Sequence, residues 1–173
     1  MKKSKEEIRA KSVSIRLVVS DVDGTLTDGA LYYSSEGEVM KRFSVHDGMG
    51  IRLLLQAGIQ VVLLTSDAGT ISHLRAQKLG VQHVLSGIED KATALKNLVT
   101  SLNISLEETL YIGDDVNDLP AMQLCGLKAC PNNAMTRIRE ISDVVTEAKA
   151  GLGAVREIAE LLLECQQKPN IFQ

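Results

Sequence analysis

Apolar residues fall along this chain in two alternating rhythms. Short runs at 15–20, 60–64, 83–85, 109–112, 127–129 and 144–145 are rich in Val, Ile and Leu. They are too short for helices, and they predict strands covered on both faces, as in a parallel sheet. Between them lie helical patterns. Leu95, Leu98, Val99 and Leu102 stand at i, i+3, i+4 and i+7, the spacing of one buried face. Val155, Ile158, Ala159, Leu162 and Leu163 repeat it before Pro169, which cannot continue a helix. Ile71, Leu74 and Leu79 give a weaker version that stops at Gly80, a helix C-terminal glycine. Strand and helix alternate throughout, which predicts right-handed βαβ units in an α/β fold with a doubly wound, mainly parallel, Rossmann-like sheet.

One segment breaks the rhythm. Leu31, Tyr33, Val39, Lys41 and Phe43 mostly alternate around the polar turn Ser34-Ser35-Glu36-Gly37-Glu38. That pattern predicts a small β-hairpin inserted after the first strand, a flap over residues 29–45. It is far too small for a separate domain, so the expectation is one domain over 1–173 with a C-terminal tail at 165–173 and no large cap domain. The hairpin's apolar positions can pack on their own domain or on another subunit.

Composition narrows the function classes. The chain has 173 residues, of which 45% are hydrophobic and only 3% aromatic, so a core is available but a stacking platform of rings is not. The net charge of -3 and pI near 5.6 argue against a nucleic-acid surface. No stretch approaches the roughly 18 apolar residues of a membrane span. Lys2, Lys3 and Lys5 are followed by Glu6 and Glu7 and no apolar run, which does not read as a secretory leader. Cys125, Cys130 and Cys165 are odd in number and lack C-x-x-C spacing, so they read as buried thiols of a reducing compartment, and the expectation is a soluble cytoplasmic protein.

The candidate chemistry collects at strand ends. Asp21 and Asp23 follow the first strand, Thr65 closes the 60–64 run, and Lys91 starts the helix after the run at Val84. Asp114 and Asp115 follow the run ending at Ile112, with Asn117 and Asp118 opening the next helix. In open α/β sheets that rim is where ligands bind. Clustered carboxylates suit Mg²⁺, a hard ion that prefers oxygen. A carboxylate facing a metal-bound phosphate is a nucleophile able to form an aspartyl-phosphate, and a second one two residues on can move protons. A lysine and a hydroxyl offset charge on the transferring group, and Gly24 permits a tight turn beside it. Either acidic cluster alone is also ordinary turn or cap chemistry. The four sites on one rim, together, favour phosphoryl transfer.

These residues carry a resemblance. Asp21-Val-Asp-Gly-Thr-Leu-Thr-Asp-Gly29, Thr65, Lys91 and Gly113-Asp-Asp-Val-Asn-Asp118 resemble, in order, the four motifs of the haloacid dehalogenase-like hydrolases. The stretches Leu26–Gly29, Phe43–Gly48, 113–120 and Gly151-Leu-Gly-Ala-Val-Arg-Glu157 are similar to the 3-deoxy-D-manno-octulosonate 8-phosphate phosphatase subfamily. The resemblance covers nearly everything from residue 15 to 163. It implies Asp21 as nucleophile and Asp23 as general acid/base, with Mg²⁺ held by Asp21, the Asp23 backbone carbonyl and Asp114. Thr65 and Lys91 would bind phosphate, and Asp115 and Asp118 would support metal or lysine. It further implies a small phosphorylated sugar-acid substrate, a role in lipopolysaccharide biosynthesis, and a homotetramer in which hairpins assemble.

The chain departs from the subfamily at Ser66-Asp67, where Gly-Arg is typical and the arginine serves an acidic sugar. This opens the alternative of a nine-carbon sialic-acid-type 9-phosphate, with Lys41, Arg42, Arg52 or Arg75 as other candidates for a substrate carboxylate. A local reading of Ser66 or Asp67 is a cap on the following helix. His46, His73 and His83 lack metal spacing and read as structural, though His46 is near the rim. Two other classes compete, a receiver-like phosphorylated signalling domain and a non-catalytic assembly subunit. Receivers place the acidic pair, phosphorylated Asp, Thr and Lys in a different order, which favours the hydrolase.

Overall fold

The computed structural model describes residues 3–168. Pro169 and the expected tail beyond residue 168 lie outside the described residues. Six strands, β1 (Leu17–Ser20), β4 (Gln60–Leu64), β5 (His83–Leu85), β6 (Thr109–Ile112), β7 (Leu127–Cys130) and β8 (Val144–Val145), form one sheet in the order β5-β4-β1-β6-β7-β8. Every pairing in it is parallel. The two strands β2 (Thr27–Ser34) and β3 (Gly37–Phe43) make a separate antiparallel hairpin.

Successive strand residues point to opposite faces, and both faces are covered. On one side Val18, Leu63, Leu110 and Ile112 pack with Ile51 and Leu54 of α2 (Val45–Gln56) and Val155, Ile158 and Leu162 of α7 (Ala154–Cys165). Ala76 and Leu79 of α3 (Ile71–Leu79) join them. On the other side Leu17, Val19, Val62 and Tyr111 meet Leu95 and Val99 of α4 (Lys91–Leu102), Met122 of α5 (Leu119–Met122) and Ile138 of α6 (Thr136–Ile141). This is the expected doubly wound arrangement. Among the described residues no helix is long and apolar enough to cross a membrane.

Three details differ from the apolar pattern. Leu74, expected on the buried face of α3, is exposed, because Ser72, Ala76 and Leu79 turn inward instead. A helix α1 (Lys5–Ser14) precedes the sheet and packs on α7. Its start is a capping box, in which Glu7 N donates to Ser4 Oγ at 3.2 Å and Ser4 N to Glu7 Oε2 at 2.7 Å. The hairpin has register shifts between Thr27 and Leu31 and between Tyr32 and Tyr33; Leu31, Tyr32, Tyr33, Val39 and Met40 are exposed, and the buried residues are Thr27 and Lys41.

Asp47 ties the frame to the hairpin's base. It lies in the first turn of α2, fully buried, and its two oxygens accept from Gly153 N and Arg156 N at 3.0 Å each. It therefore caps the N-terminus of α7 from another helix. Gly50 lets the two helices approach, since a Cβ there would lie 2.9 Å from Arg156 Cα. Gly151 N donates to Thr25 O at 3.2 Å, and a Cβ on Gly151 would sit 2.6 Å from the Thr27 carbonyl carbon. The Phe43–Gly48 and 151–157 patterns thus have a packing reason.

Candidate active site

Asp21 and Thr65 are the first residues beyond their strands, Gly113 before Asp114 is the first beyond β6, and all three are still tied to the sheet. Asp21 N donates to Ile112 O at 3.0 Å, Thr65 N to Leu85 O at 2.8 Å and Gly113 N to Ala129 O at 3.2 Å. The chain after Asp21 then curls, with Leu26 N and Thr27 N both donating to Val22 O at 2.9 Å. Gly24, at φ +88°, makes this turn against Asp114, where a Cβ would lie 2.8 Å from the carboxylate carbon.

The centre is a buried charge cluster. Lys91 Nζ donates to Asp21 Oδ1 at 2.6 Å and to Asp118 Oδ1 at 2.7 Å, and Tyr111 Oη donates to the same Asp118 oxygen at 2.8 Å. Asp118 Oδ2 accepts from Asp114 N at 3.1 Å and Asp115 N at 3.4 Å. Asp114 Oδ1 accepts from Thr25 Oγ1 at 3.1 Å. Asp115 Oδ1 accepts from Val116 N at 2.6 Å. Thr65 is buried, and its hydroxyl accepts from Asp67 N at 3.1 Å.

A second cluster sits under the hairpin. Lys41 Nζ donates to Asp23 Oδ2 at 2.7 Å and Asp67 Oδ2 at 2.8 Å, with Glu38 Oε1 at 3.6 Å. Asp67 Oδ1 accepts from Gly69 N, and the cap position of α3 is Thr70, so neither Ser66 nor Asp67 caps that helix. Burial works to lower the Lys41 pKa, but bonds and charge from Asp23 and Asp67 outweigh it and leave it raised. The hydrogen bond from Lys41 in turn lowers the Asp67 pKa. The other proposed carboxylate holders are also engaged. Arg42 pairs with Asp28, Arg52 donates to Lys78 O, and Arg75 donates to Ser44 O and stacks 5.4 Å over Phe43.

The electrostatics of the centre call for a cation. One oxygen from each of Asp21, Asp114 and Asp118 lies within 4.8 Å of the others, facing a single ammonium. Burial first, and the Asp118 charge second, push the Asp21 carboxyl well above its usual range despite Lys91. The same two causes raise Asp114 to about 6. Asp21 Oδ2 is buried without a partner. Surplus negative charge on an oxygen-only donor set suits a hard divalent ion. Asp118 already accepts from four donors, so it organises the cluster, and open oxygens remain on Asp21 and Asp114. Asp23 lies beside this set, its Oδ1 also buried and unpartnered.

The motif residues Asp21, Lys91, Asp114 and Asp118 are thus brought together, Lys41 binds Asp23 and Asp67 rather than standing open for a substrate carboxylate, and Tyr111 enters unannounced. Tyr111 had one signal, a hydroxyl in a fully buried strand that must find a partner. Lys41 had one too, a lysine at an inward step of the hairpin's alternation.

Comparison with known proteins agrees. Residues 70–158 match the family described as haloacid dehalogenase-like hydrolase. The 3-deoxy-D-manno-octulosonate 8-phosphate phosphatase of Haemophilus influenzae is 38% identical over 165 residues, covering 95% of this chain and 92% of that protein. The crystal structure of the Moraxella catarrhalis 3-deoxy-D-manno-octulosonate 8-phosphate phosphatase, in complex with magnesium ion, phosphate ion and KDO molecule, superposes with a TM-score of 0.94 at 40% identity, covering 98% and 97% of the two chains. A cobalt-bound form of the Haemophilus influenzae phosphatase gives 0.91 at 38% identity, covering 94% and 95%. This chain belongs to the haloacid dehalogenase-like hydrolases, in the family of the 3-deoxy-D-manno-octulosonate 8-phosphate phosphatases.

Proposed function

We propose that the chain is a Mg²⁺-dependent phosphomonoesterase for a 3-deoxy-ulosonic acid phosphate, 3-deoxy-D-manno-octulosonate 8-phosphate, acting through an aspartyl-phosphate on Asp21. The observation that carries this reading is Asp21 itself, 4% exposed, gripped at one oxygen by Lys91 at 2.6 Å and unpartnered at the other. An Asp21 oxygen bonds to phosphorus while the bond to the leaving sugar oxygen breaks. Asp23 gives its proton to that oxygen, so the sugar leaves as an alcohol. Asp23 then takes a proton from water, the water oxygen bonds to phosphorus, and the Asp21–phosphorus bond breaks to free phosphate. Magnesium, held by Asp21, the Asp23 backbone carbonyl and Asp114, supplies charge neutralisation at the phosphate oxygens. Lys91, steadied by Asp118 and Tyr111, and Thr65 bind the transferring group. Asp115 supports the turn that carries Asp114.

The substrate assignment draws on the relatives, and the proposed role in lipopolysaccharide biosynthesis follows from it. Asp67, bound to Lys41, brings negative charge where the subfamily has arginine, which keeps a nine-carbon sialic-acid-type 9-phosphate as the second reading. The chain acts as one domain over 1–173, in the cytoplasm, as a homotetramer assembled through the hairpin. Exposed Leu31, Tyr32, Tyr33, Val39, Met40 and Val45 support that assembly. The test is phosphate release with Mg²⁺ across eight-carbon and nine-carbon ulosonic acid phosphates and hexose phosphates, with Asp21→Asn alongside. Release from the sugar-acid phosphates and none from Asp21→Asn is expected. Preference for hexose phosphates overturns the substrate, and an active Asp21→Asn overturns the mechanism.

A further inference from the structure

We infer that Lys41 is a positioning residue that holds Asp23 for proton transfer to the leaving group, an inference that rests on the acid/base role proposed for Asp23. The hairpin delivers this lysine with its side chain 0% exposed, at a step where the β alternation would place an apolar residue. A buried ammonium is costly unless its hydrogen bonds are met, so its position is specified by its partners. Those partners are Asp23 Oδ2 at 2.7 Å and Asp67 Oδ2 at 2.8 Å, with Glu38 Oε1 at 3.6 Å. Only one oxygen of Asp23 is engaged. The other, Oδ1, is buried and has no protein partner. A carboxylate anchored at Oδ2 and open at Oδ1 is oriented to present a single oxygen, the geometry a proton donor needs.

Asp67 completes the device. It binds the ammonium from the loop after β4 while its Oδ1 accepts from Gly69 N at 3.0 Å, so Lys41 is braced by a loop with its own turn. The hairpin thereby touches the reaction through one ammonium. Lys41 is committed to carboxylates of its own chain, which removes it from the candidates for binding a substrate carboxylate.

Leaving-group dependence separates positioning from mere support of the hairpin. An alkyl phosphate needs a proton on its departing oxygen, whereas p-nitrophenyl phosphate does not, and kcat/KM reads the step in which that bond breaks. The full chain with Mg²⁺ is assayed on an ulosonic acid phosphate and on p-nitrophenyl phosphate, with thermal midpoints recorded for every variant. Lys41→Met is expected to lose about 10²-fold in kcat/KM on the sugar-acid phosphate and under about fivefold on p-nitrophenyl phosphate. Lys41→Met/Asp67→Asn removes one charge of each sign, guards against a folding failure, and is expected to show the same split. Equal losses on the two substrates, or no loss on either, overturn the inference. Asp23→Asn distinguishes the failures. If it shows the split and the Lys41 variants do not, only the role of Lys41 falls. If Asp23→Asn shows no split, the acid/base reading falls and takes the inference with it.

Discussion

Replacing Asp47 with alanine is predicted to cost stability and leave chemistry nearly intact, although this residue lies in a stretch typical of the family and near the rim. Truncation leaves Gly153 N and Arg156 N, each now 3.0 Å from a carboxylate oxygen, without acceptors at a buried helix start. A lost N-cap costs about 0.5–2 kcal/mol, and each buried unmet donor about 1–3 kcal/mol. The ionised charge adds little, because burial raises the Asp47 pKa in spite of the N–H bonds from Arg156, Gly153 and Val155, so the dipole attraction is offset by desolvation. The net expectation is a loss of about 2–3 kcal/mol, with about half of that for Asp47→Asn, which keeps one acceptor. With m on the order of 2 kcal/mol per M, the urea midpoint falls by about 1–1.5 M at fixed protein concentration. Mg²⁺-dependent kcat/KM at a temperature where the variant is folded stays within about threefold. A shift below about 0.3 M, or a tenfold loss of activity in a folded variant, refutes the capping role.

The remaining predictions concern the metal, the turn and the assembly. Protons compete with Mg²⁺ at Asp114, whose carboxyl is raised to about 6, and at Asp21, whose carboxyl is also raised, so calorimetric Mg²⁺ affinity should fall as the pH is lowered towards about 6. It should then weaken by at least about tenfold per pH unit below that value, and affinity independent of pH would contradict the assignment. Gly24→Ala forces a side chain to φ +88° and against Asp114, so Mg²⁺ affinity should fall at least about tenfold, with about 1–2 kcal/mol lost from stability. Unchanged Mg²⁺ affinity in that variant would remove the link between the turn and the metal. If the proposed tetramer assembles through the hairpin, Tyr33→Glu, at a residue 68% exposed, should lower the sedimentation coefficient towards that of a monomer without unfolding the chain.

What could be read from the chain, and what could not, divides along physical lines. The strands were legible because both faces of the sheet are covered, so most of their residues are apolar at successive steps. Helix α7 was legible because Val155, Ile158, Ala159, Leu162 and Leu163 face one core. Helix α1 was not, since it buries little beyond Ser12, and its signal lay in the Ser4–Glu7 cap alone. Helix α2 was obscured by Gly48 and Gly50, which weaken helical propensity but permit close approach to Arg75 and α7. The acidic residues were legible in their order along successive strand ends. Their partners were not, because Lys41 and Tyr111 join the site through tertiary contacts from the hairpin and a core strand. The charge at Asp67 stood out in the sequence, and its pairing with Lys41 required the structure.

The central claim is covalent chemistry at Asp21. Rapid acid quench of the enzyme turning over an ulosonic acid phosphate with Mg²⁺, followed by mass mapping of the peptides, tests it most directly. A transient, base-labile phosphoryl group is expected on the peptide containing Asp21, absent in Asp21→Asn. Turnover without any phosphorylated peptide, or phosphate mapped to another residue, would contradict it.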